Sequence, residues 1–339
     1  MGTGELGFNG DGLPGPETML ASPMAAREDP DGRPVVIDFS NMRLRAVQGD
    51  DGLVQTIVGS GIHAYSEPGA AALESPLENP IDARWGPDGL LYVAPLHEGR
   101  LIRVGEDGRI ERVVCTGESL DSTGDGGAAL DATMGYPGGL AWGSDGTLFV
   151  SDNSNHRVRA VSPDGVIDTV IGTGERGFDL EGEGISVRLS YPMQLEVVGE
   201  RLLVADSGNH RVGELDLATG MFRTLVGTGE EGFAGDGGPA TSARLSEPTG
   251  LAAMDGRIWV GDLGNGVVRE IAPDGMIETV VGGSADDAEG DVFDAMSAPL
   301  RRPAGLATTA AGELLIADRG AHRVFLWRRP AGPAPQGSR

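Results

Sequence analysis

The stretch SDNSNHRVRAV, residues 151 to 161, places Asp152, Asn155 and His156 close together in the sequence. A carboxylate beside an imidazole is the combination that acid–base and nucleophilic catalysis uses. Related stretches occur five more times, as IDFSNMRLRAV from 37, APLHEGRLIRV from 94, ADSGNHRVGEL from 205, GDLGNGVVREI from 261 and ADRGAHRVFLW from 317. A catalytic group is needed once in a chain, so the six copies predict a structural motif.

The repeated polar residues have a simple structural interpretation. The aspartates are Asp38, Asp152, Asp206, Asp262 and Asp318. We expect each carboxylate to accept backbone N–H groups in the turn that follows it. The histidines His156, His210 and His322 lie about one repeat apart or more, so they are predicted not to share a metal ion.

The repeats also share a pattern of short strands. The arginine after the turn occurs at 43, 100, 157, 211 and 323, in steps of 57, 57, 54 and 112 residues. Each repeat contains four apolar stretches with a period of two, separated by turns such as GPDG, GSDG and SPDG. Four antiparallel strands repeated six times predict an all-β, six-bladed β-propeller.

The motif residues carry a family resemblance. DNSNHRV, DSGNHRV and DRGAHRV, together with the linker GTGEEGFAGDGGPATSARL at 227 to 245, resemble the NHL-repeat family of β-propellers over about residues 2 to 329. The resemblance implies the fold. It leaves the activity open, because the family includes protein-binding, RNA-binding and enzymatic members.

The repeat boundaries predict one domain, residues 1–329, with blades at about 2–61, 62–117, 118–174, 175–229, 230–284 and 285–329. Residues 330–339 (PAGPAPQGSR) are predicted to be a disordered tail. Blade six has no outer-strand sequence after RVFLW, so we expect three strands there and an open edge carrying Arg323, Arg328 and Arg329. Either an upstream strand completes this blade, or three strands suffice. A partner chain could also pair with the open edge.

The composition restricts the partners. The formal charge is −25, and every basic residue is an arginine, so lysine chemistry is excluded and nucleic acid is disfavoured. The single cysteine, Cys115, excludes an internal disulfide. No apolar stretch is long enough to span a bilayer, and the start lacks the features of a signal peptide. The acidic, lysine-free composition is bacterial-like, and a secreted or periplasmic location is preferred over the cytoplasm.

Single-copy residues on the innermost strands are the candidate binding residues. Linkers that enter the innermost strand and turns between the second and third strands must lie on one face, which we call the linker face. Each innermost strand begins near a proline, so residues around that proline should surround the central channel. The candidate ligand-binding residues at this rim are Asn79, Asp82, His97, Tyr136, Tyr191, Gln194, Glu247 and Arg302. The opposite face has short hairpins and is predicted to leave little room for a pocket.

Blade two departs most from the repeat. It replaces the Asp and Asn-His positions with Pro95, Leu96, His97, Glu98 and Gly99, and its innermost strand follows Glu78. Oxygen ligands suit a hard cation such as Ca²⁺, so Asn79, Asp82 and Glu247 are the candidate metal ligands. The acidic GDG linkers at 10, 124 and 235 lack EF-hand spacing, and turn formation explains them without a metal.

Three functions remain open from the sequence. The first is a binding propeller that presents the linker face to a protein, peptide, glycan or small molecule. The second is a metal-dependent hydrolase or lyase with a site in the channel, as in the gluconolactonase-like and amidating-lyase propellers. Asp82 or Glu247 would then hold the metal, with His97 or Tyr136 as the acid or base. A scaffold role within a longer protein is a third interpretation.

Overall fold

Six antiparallel sheets stand around one axis in the computed structural model, which describes residues 1–49, 51–283 and 294–330. The innermost strand of each sheet contacts the innermost strand of the next, and the last contacts the first, so the ring is closed. The prediction of an all-β, six-bladed propeller is confirmed.

Within each blade the three or four main strands follow the order of the chain outwards from the axis, and a short linker strand, where present, lies outside them. Blade one contains β1 Leu13–Pro14, β2 Ala25–Glu28, β3 Pro34–Asp38, β4 Arg43–Gln48 and β5 Leu53–Val58. Blade two contains β6 Pro80–Trp85, β7 Leu91–Pro95, β8 Leu101–Val104 and β9 Ile110–Val114. Blade three contains β10 Gly127–Ala128, β11 Pro137–Trp142, β12 Leu148–Asp152, β13 Arg157–Val161 and β14 Val166–Ile171.

The remaining blades repeat this plan. Blade four contains β15 Glu181–Glu183, β16 Pro192–Val198, β17 Arg201–Asp206, β18 Arg211–Asp216 and β19 Met221–Val226. Blade five contains β20 Gly238–Pro239, β21 Pro248–Met254, β22 Arg257–Asp262, β23 Val267–Ile271 and β24 Met276–Gly282. Blade six contains β25 Pro303–Thr308, β26 Leu314–Asp318 and β27 Arg323–Trp327.

Four blades carry a fifth strand that the repeat pattern did not predict. The short strands β1, β10, β15 and β20 lie in the linkers and pair antiparallel with the outermost strand of their own blade. They contain only two or three residues and are rich in Gly and Pro, so no alternation marks them in the sequence.

Short 3₁₀ helices form most of the turns on the linker face. They are Gly15–Glu17, Phe39–Asn41, Asn153–Asn155, Gly184–Ser186, Ser207–Asn209, Ala240–Ser242, Leu263–Asn265 and Ala295–Ser297. In the repeated motif the next residue has left-handed backbone, as His156 does with φ +55°. Gly266 occupies the same position in blade five with φ +65°, so the position requires this conformation whatever the residue.

The hydrophobic core lies between the blades. Apolar side chains from facing sheets form one cluster at each interface, for example Leu203, Val212 and Val260 between blades four and five. Close approach at the axis requires glycine, because a Cβ on Gly305 would lie 2.3 Å from the carbonyl oxygen of Met24.

Blade six has three strands, as predicted. At the edge of β27, the Met1 nitrogen donates to the Val324 carbonyl and the Val324 N–H donates to the Met1 carbonyl, each at 2.8 Å. Arg328 pairs with Glu313, and Arg329 pairs with Glu270 at 3.0 Å. The predicted tail, apart from Pro330, lies outside the described residues. Among the described residues, no helix has the length and hydropathy to cross a membrane.

The repeated aspartates were expected to accept N–H groups of the turn that follows them, but most of them accept N–H groups of the preceding linker. Asp152 accepts the N–H of Gly135, and Asp206 accepts that of Ser190; both donors lie in the linker before the innermost strand. From the turn itself, the side-chain amide of the motif asparagine donates to the carboxylate, as Asn155 does to Asp152 at 3.0 Å and Asn209 does to Asp206 at 2.8 Å, while the His156 N–H donates to the Asn153 carbonyl. Asp318 differs, because it also accepts the N–H groups of Gly320 and Ala321 in the turn that follows it.

Candidate functional site

Three single-copy residues of blade two form the candidate site. The Oε1 atom of Glu78, which precedes β6, lies 2.7 Å from Nδ1 of His97, in the turn between β7 and β8. The same oxygen lies 2.8 Å from Nε2 of His63, in the linker that enters the blade. These three ligand atoms lie within 4.8 Å of one another. One carboxylate thus brings together two imidazoles from separate loops.

The loops are held by a second carboxylate. Glu98 is completely buried and accepts bonds from the N–H and hydroxyl of Ser66, each at 2.7 Å. Arg100 donates its Nε to the same carboxylate at 2.8 Å, which balances the buried charge. Glu98 therefore fixes the linker that carries His63 against the turn that carries His97. In the sequence, Glu98 is visible only as a departure from the repeated Asn.

Two predicted rim residues complete the surroundings of the cluster. The amide oxygen of Asn79 lies 2.8 Å from Nε2 of His63. The ring of Tyr136 meets the ring of His97 edge to face, with centroids 5.0 Å apart. Sequence reasoning named Glu78, Asn79, His97 and Tyr136 but missed His63, which lies in an unrepeated linker. The only signal for His63 was that it belongs to no copy of the motif.

Other rim residues lie farther around the ring. Tyr191 is 42% exposed and packs edge to face on His156, while the Arg176 guanidinium lies 5.1 Å from the centre of its ring. Glu247 and Arg302 form an exposed ion pair at 3.4 Å. The rim therefore presents aromatic surface and both signs of charge.

Asp82 lies inside the channel and is not exposed at the rim. Its Oδ1 accepts a hydrogen bond from Nη2 of Arg27 at 2.5 Å, and its Oδ2 accepts one from the backbone N–H of Leu140 at 3.0 Å. Gln194 also points across the channel and donates to the carbonyls of Leu251 and Leu306. The cavity left around these side chains is about 10 Å³, room for about one water molecule. A metal at Asp82 would have to displace Arg27, and the set Asn79, Asp82 and Glu247 stays a prediction.

The opposite mouth of the channel contains a recess of about 420 Å³. Trp85 and Trp142, at the ends of β6 and β11, line it together with the ion pair between Arg84 and Glu196 at 2.8 Å. The expectation that this face leaves little room for a pocket was wrong. The large side chains at the strand ends stand around the mouth, so its walls do not depend on long loops.

The repeated histidines connect neighbouring blades. In each case Nδ1 accepts the backbone N–H of the residue before the proline of the next blade, at 3.2 Å. The pairs are His156 with Tyr191, His210 with Glu247 and His322 with Ser22. The acceptors must be unprotonated at Nδ1, and burial lowers the pKa of His156 and of His322.

The aspartates of the GDG linkers bind arginines whose side chains are completely buried. The pairs are Arg45 with Asp11, Arg159 with Asp125 and Arg269 with Asp236. Each guanidinium also donates to linker carbonyls, as Arg269 does to the carbonyls of Ala234 and Arg244. These carboxylates compensate buried positive charge, which agrees with a structural role for the linkers.

Two family models match parts of the chain. The model described as Teneurin NHL domain matches residues 104–178, and the model described as NHL repeat matches residues 300–325. A curated relative, NHL repeat-containing protein 2 from Bos taurus, is 30% identical over 270 residues, which cover 69% of this chain and 36% of that protein. The chain spans between 23% and 36% of the length of the first curated relatives it matches.

Solved structures share the architecture at low identity. An auxiliary nutrient binding protein from Bacteroides thetaiotaomicron has a TM-score of 0.67 at 12% identity, covering 94% of this chain and 72% of that chain. A gluconolactonase from Xanthomonas campestris has a TM-score of 0.59 at 14% identity, covering 92% and 89%. At these identities the likeness shows the fold alone. The sheets and their closed ring define a six-bladed β-propeller. Its repeated motif and the family matches place the chain in the NHL-repeat family.

Proposed function

We propose that this protein is a binding propeller whose linker-face rim contacts a protein, peptide, glycan or small-molecule partner. The rim residues we assign to this contact are Asn79, His97, Tyr136, Tyr191, Glu247 and Arg302. The observation that carries the proposal is the half-exposed Tyr191 ring, supported by His156 at a centroid distance of 4.7 Å. A supported tyrosine offers contact area at little cost in conformational entropy, which is typical of binding anchors.

The charges beside the tyrosines add specificity. The side chains of Arg302 and Glu247 are each about half exposed and lie 3.4 Å apart, so a ligand at the rim can reach both. An arginine fork suits a carboxylate of a ligand, and a glutamate suits an amine or hydroxyl. An exposed pair of this kind contributes little to stability, so its presence at the rim is consistent with a role in recognition.

The alternative is a metal-dependent hydrolase or lyase that uses the channel. We favour it less because the cavity around Asp82 and Gln194 is about 10 Å³, and Arg27 already compensates the Asp82 carboxylate. A substrate would have to displace both side chains. Assays on lactones and esters test this alternative directly, and turnover that is lost in Asp82→Asn but kept in Tyr191→Asn would favour it.

Binding is tested with labelled protein on glycan arrays and peptide libraries. We compare the wild type with Tyr191→Asn, which removes the ring but suits the left-handed backbone at φ +50°, and with Arg302→Ala. The matched control is Arg109→Ala, an exposed arginine in a hairpin on the opposite face. Ligands that bind the wild type and the control but not the rim variants support the proposal. Ligands that bind all four proteins equally, or that are lost only when Trp85 in the recess is changed to Leu, contradict it.

A further inference from the structure

We infer that His63, Glu78 and His97 form a binding site for a divalent transition metal, with Zn²⁺ as the best match. Two imidazole nitrogens and one carboxylate oxygen converge there within 4.8 Å. This set differs from the oxygen ligands Asn79, Asp82 and Glu247 that the sequence pointed to. The inference does not depend on the proposed function, although both use the linker face.

The donor types select the metal. Imidazole suits zinc, copper, nickel and iron, whereas Ca²⁺ prefers sites made of oxygen atoms alone. Two histidines and a glutamate are also a known combination for zinc with an open coordination position. Oε1 of Glu78 contacts both imidazole nitrogens, at 2.7 Å and 2.8 Å. Metal binding requires the lone pair of each of these nitrogens, so the ring proton moves to the other nitrogen of each imidazole.

The charge of Glu78 supports the assignment independently. Its side chain is only 7% exposed, and an enclosed carboxylate needs a cation or several donors to offset the loss of water. Asp82 and Glu98 are similarly buried, and each has an arginine within 2.8 Å. In the described part of the chain, the two imidazoles are the only basic groups in ion-pair range of Glu78. A bound cation would supply the missing charge.

Neighbouring residues hold the three side chains of the site in place. Tyr136 packs against the ring of His97. The Glu98 carboxylate, through its hydrogen bonds with Ser66, fixes the linker that carries His63. The amide oxygen of Asn79, 2.8 Å from Nε2 of His63, is available as a further oxygen ligand. Because the His63 side chain is 55% exposed, the site opens to solvent and leaves room for a water molecule as a ligand.

The test is titration of chelator-treated, dialysed protein with Zn²⁺ by calorimetry and with Co²⁺ by visible absorption. We expect one saturable equivalent and cobalt bands typical of a site with nitrogen ligands and fewer than six donors. His97→Ala and Glu78→Gln each remove a ligand, so each should weaken zinc binding by at least the roughly 10- to 100-fold that loss of a ligand's hydrogen-bond partner costs. Millimolar Ca²⁺ should not compete.

Two control variants keep the result interpretable. His156→Asn removes a histidine of the same face outside the cluster, and Glu247→Gln removes a carboxylate of the alternative set. Both should bind zinc as the wild type does. Circular dichroism of every metal-free variant checks that the fold is kept. Absence of saturable zinc binding in the wild type, or equal binding by His97→Ala and His156→Asn, overturns the inference. Loss of binding in Glu247→Gln with full binding in Glu78→Gln would move the site to the rim set instead.

Discussion

The Nδ1 atom of His322 in blade six accepts the backbone N–H of Ser22 in blade one at 3.2 Å. One histidine side chain therefore spans the interface between the last and the first blade. The same contact joins blade three to four and blade four to five, through His156 and His210. The motif histidine thus acts as a connection between blades, which explains why it recurs.

Replacing His322 separates this hydrogen bond from the demands of its backbone. His322→Gly keeps the left-handed conformation at φ +53° and removes the imidazole together with its acceptor, so the free energy of unfolding should fall by about 1 kcal/mol or more. His322→Ala adds the strain of an alanine in that conformation and should cost about 1 kcal/mol more. Urea denaturation measures both. Equal stability of the wild type and the glycine variant would show that the contact contributes nothing.

The same bond predicts a pH dependence. Burial lowers the pKa of His322 below the 6.5 of a free imidazole, so the folded state binds fewer protons than the unfolded state. The stabilisation is therefore fully present above pH 6.5 and is lost as the pH falls through the folded pKa. We expect the stability difference between the wild type and His322→Gly to shrink on acidification. A difference that is constant from pH 8 to pH 5 contradicts this.

The ion pair between Arg27 and Asp82 in the channel predicts a large effect of breaking it. Arg27→Met leaves the buried Asp82 carboxylate without its cation and should lower the free energy of unfolding by about 3 to 5 kcal/mol. The double variant Arg27→Met/Asp82→Leu removes both charges and should recover part of the loss. Chemical denaturation of both variants gives the comparison. A double variant no more stable than Arg27→Met would contradict the assignment.

Buried motif aspartates predict a second pH effect, opposite in direction to that of most carboxylates. Burial raises the pKa of Asp262 to about 6, so the folded state holds a proton on it that the unfolded state has released. The contribution of Asp262 to the free energy of unfolding therefore falls as the pH rises from about 4 to 6, by an amount on the order of 3 kcal/mol.

The comparison for Asp262 uses Asp262→Asn, whose side chain does not titrate. The substitution also loses the hydrogen bond that the Asn265 amide donates to Asp262. This loss lowers the free energy of unfolding of the variant by an amount that does not depend on pH. We expect the stability of the wild type relative to this variant to fall from pH 4 to pH 6. Titration of the Asp262 carboxyl by NMR with a midpoint near 4 would contradict the prediction.

Cys115 lies in left-handed backbone, φ +61°, where the equivalent residues Gly59, Gly172, Gly227 and Gly282 all have positive φ. Cys115→Gly loses the packing of a buried thiol but also removes the backbone strain at this position. Because the two effects oppose each other, the free energy of unfolding should change by less than about 1 kcal/mol. Cys115→Val places a β-branched residue in this conformation and should cost about 2 kcal/mol or more. Thermal unfolding of the two variants measures the difference.

The same thiol also reports on opening of the structure. The side chain is completely buried, and burial raises its pKa to about 12. A thiol reagent should therefore react with native protein only as fast as the structure opens. Rapid labelling of the native protein at pH 8 would contradict this. The rate in denaturant provides the reference.

The sequence predicted the architecture well because the same local rules occur six times. The four strands with a period of two and the turns after Asp152 or Asp206 are short-range sequence patterns. Each pattern is weak by itself, and its repetition makes the prediction of the fold reliable. The cluster on blade two was predicted only in part. His97 and Asn79 were visible as exceptions to the repeat, whereas His63 lies in a linker with no copy to compare. Asp82 was recognised as polar and central, but its partner Arg27 lies in another blade, and no local pattern links the two.

The interface between blades six and one has the smallest buried apolar cluster among the described residues, six residues against 12 between blades four and five. Its two sides, β2 and β25, are separated by nearly the whole chain. Such a distant contact forms late, because the entropy of closing a long loop must be overcome first. During synthesis, the side of blade one that packs against blade six therefore stays uncovered until blade six has been made. That side stays open to a chaperone or a protease for longer than the other blade interfaces do.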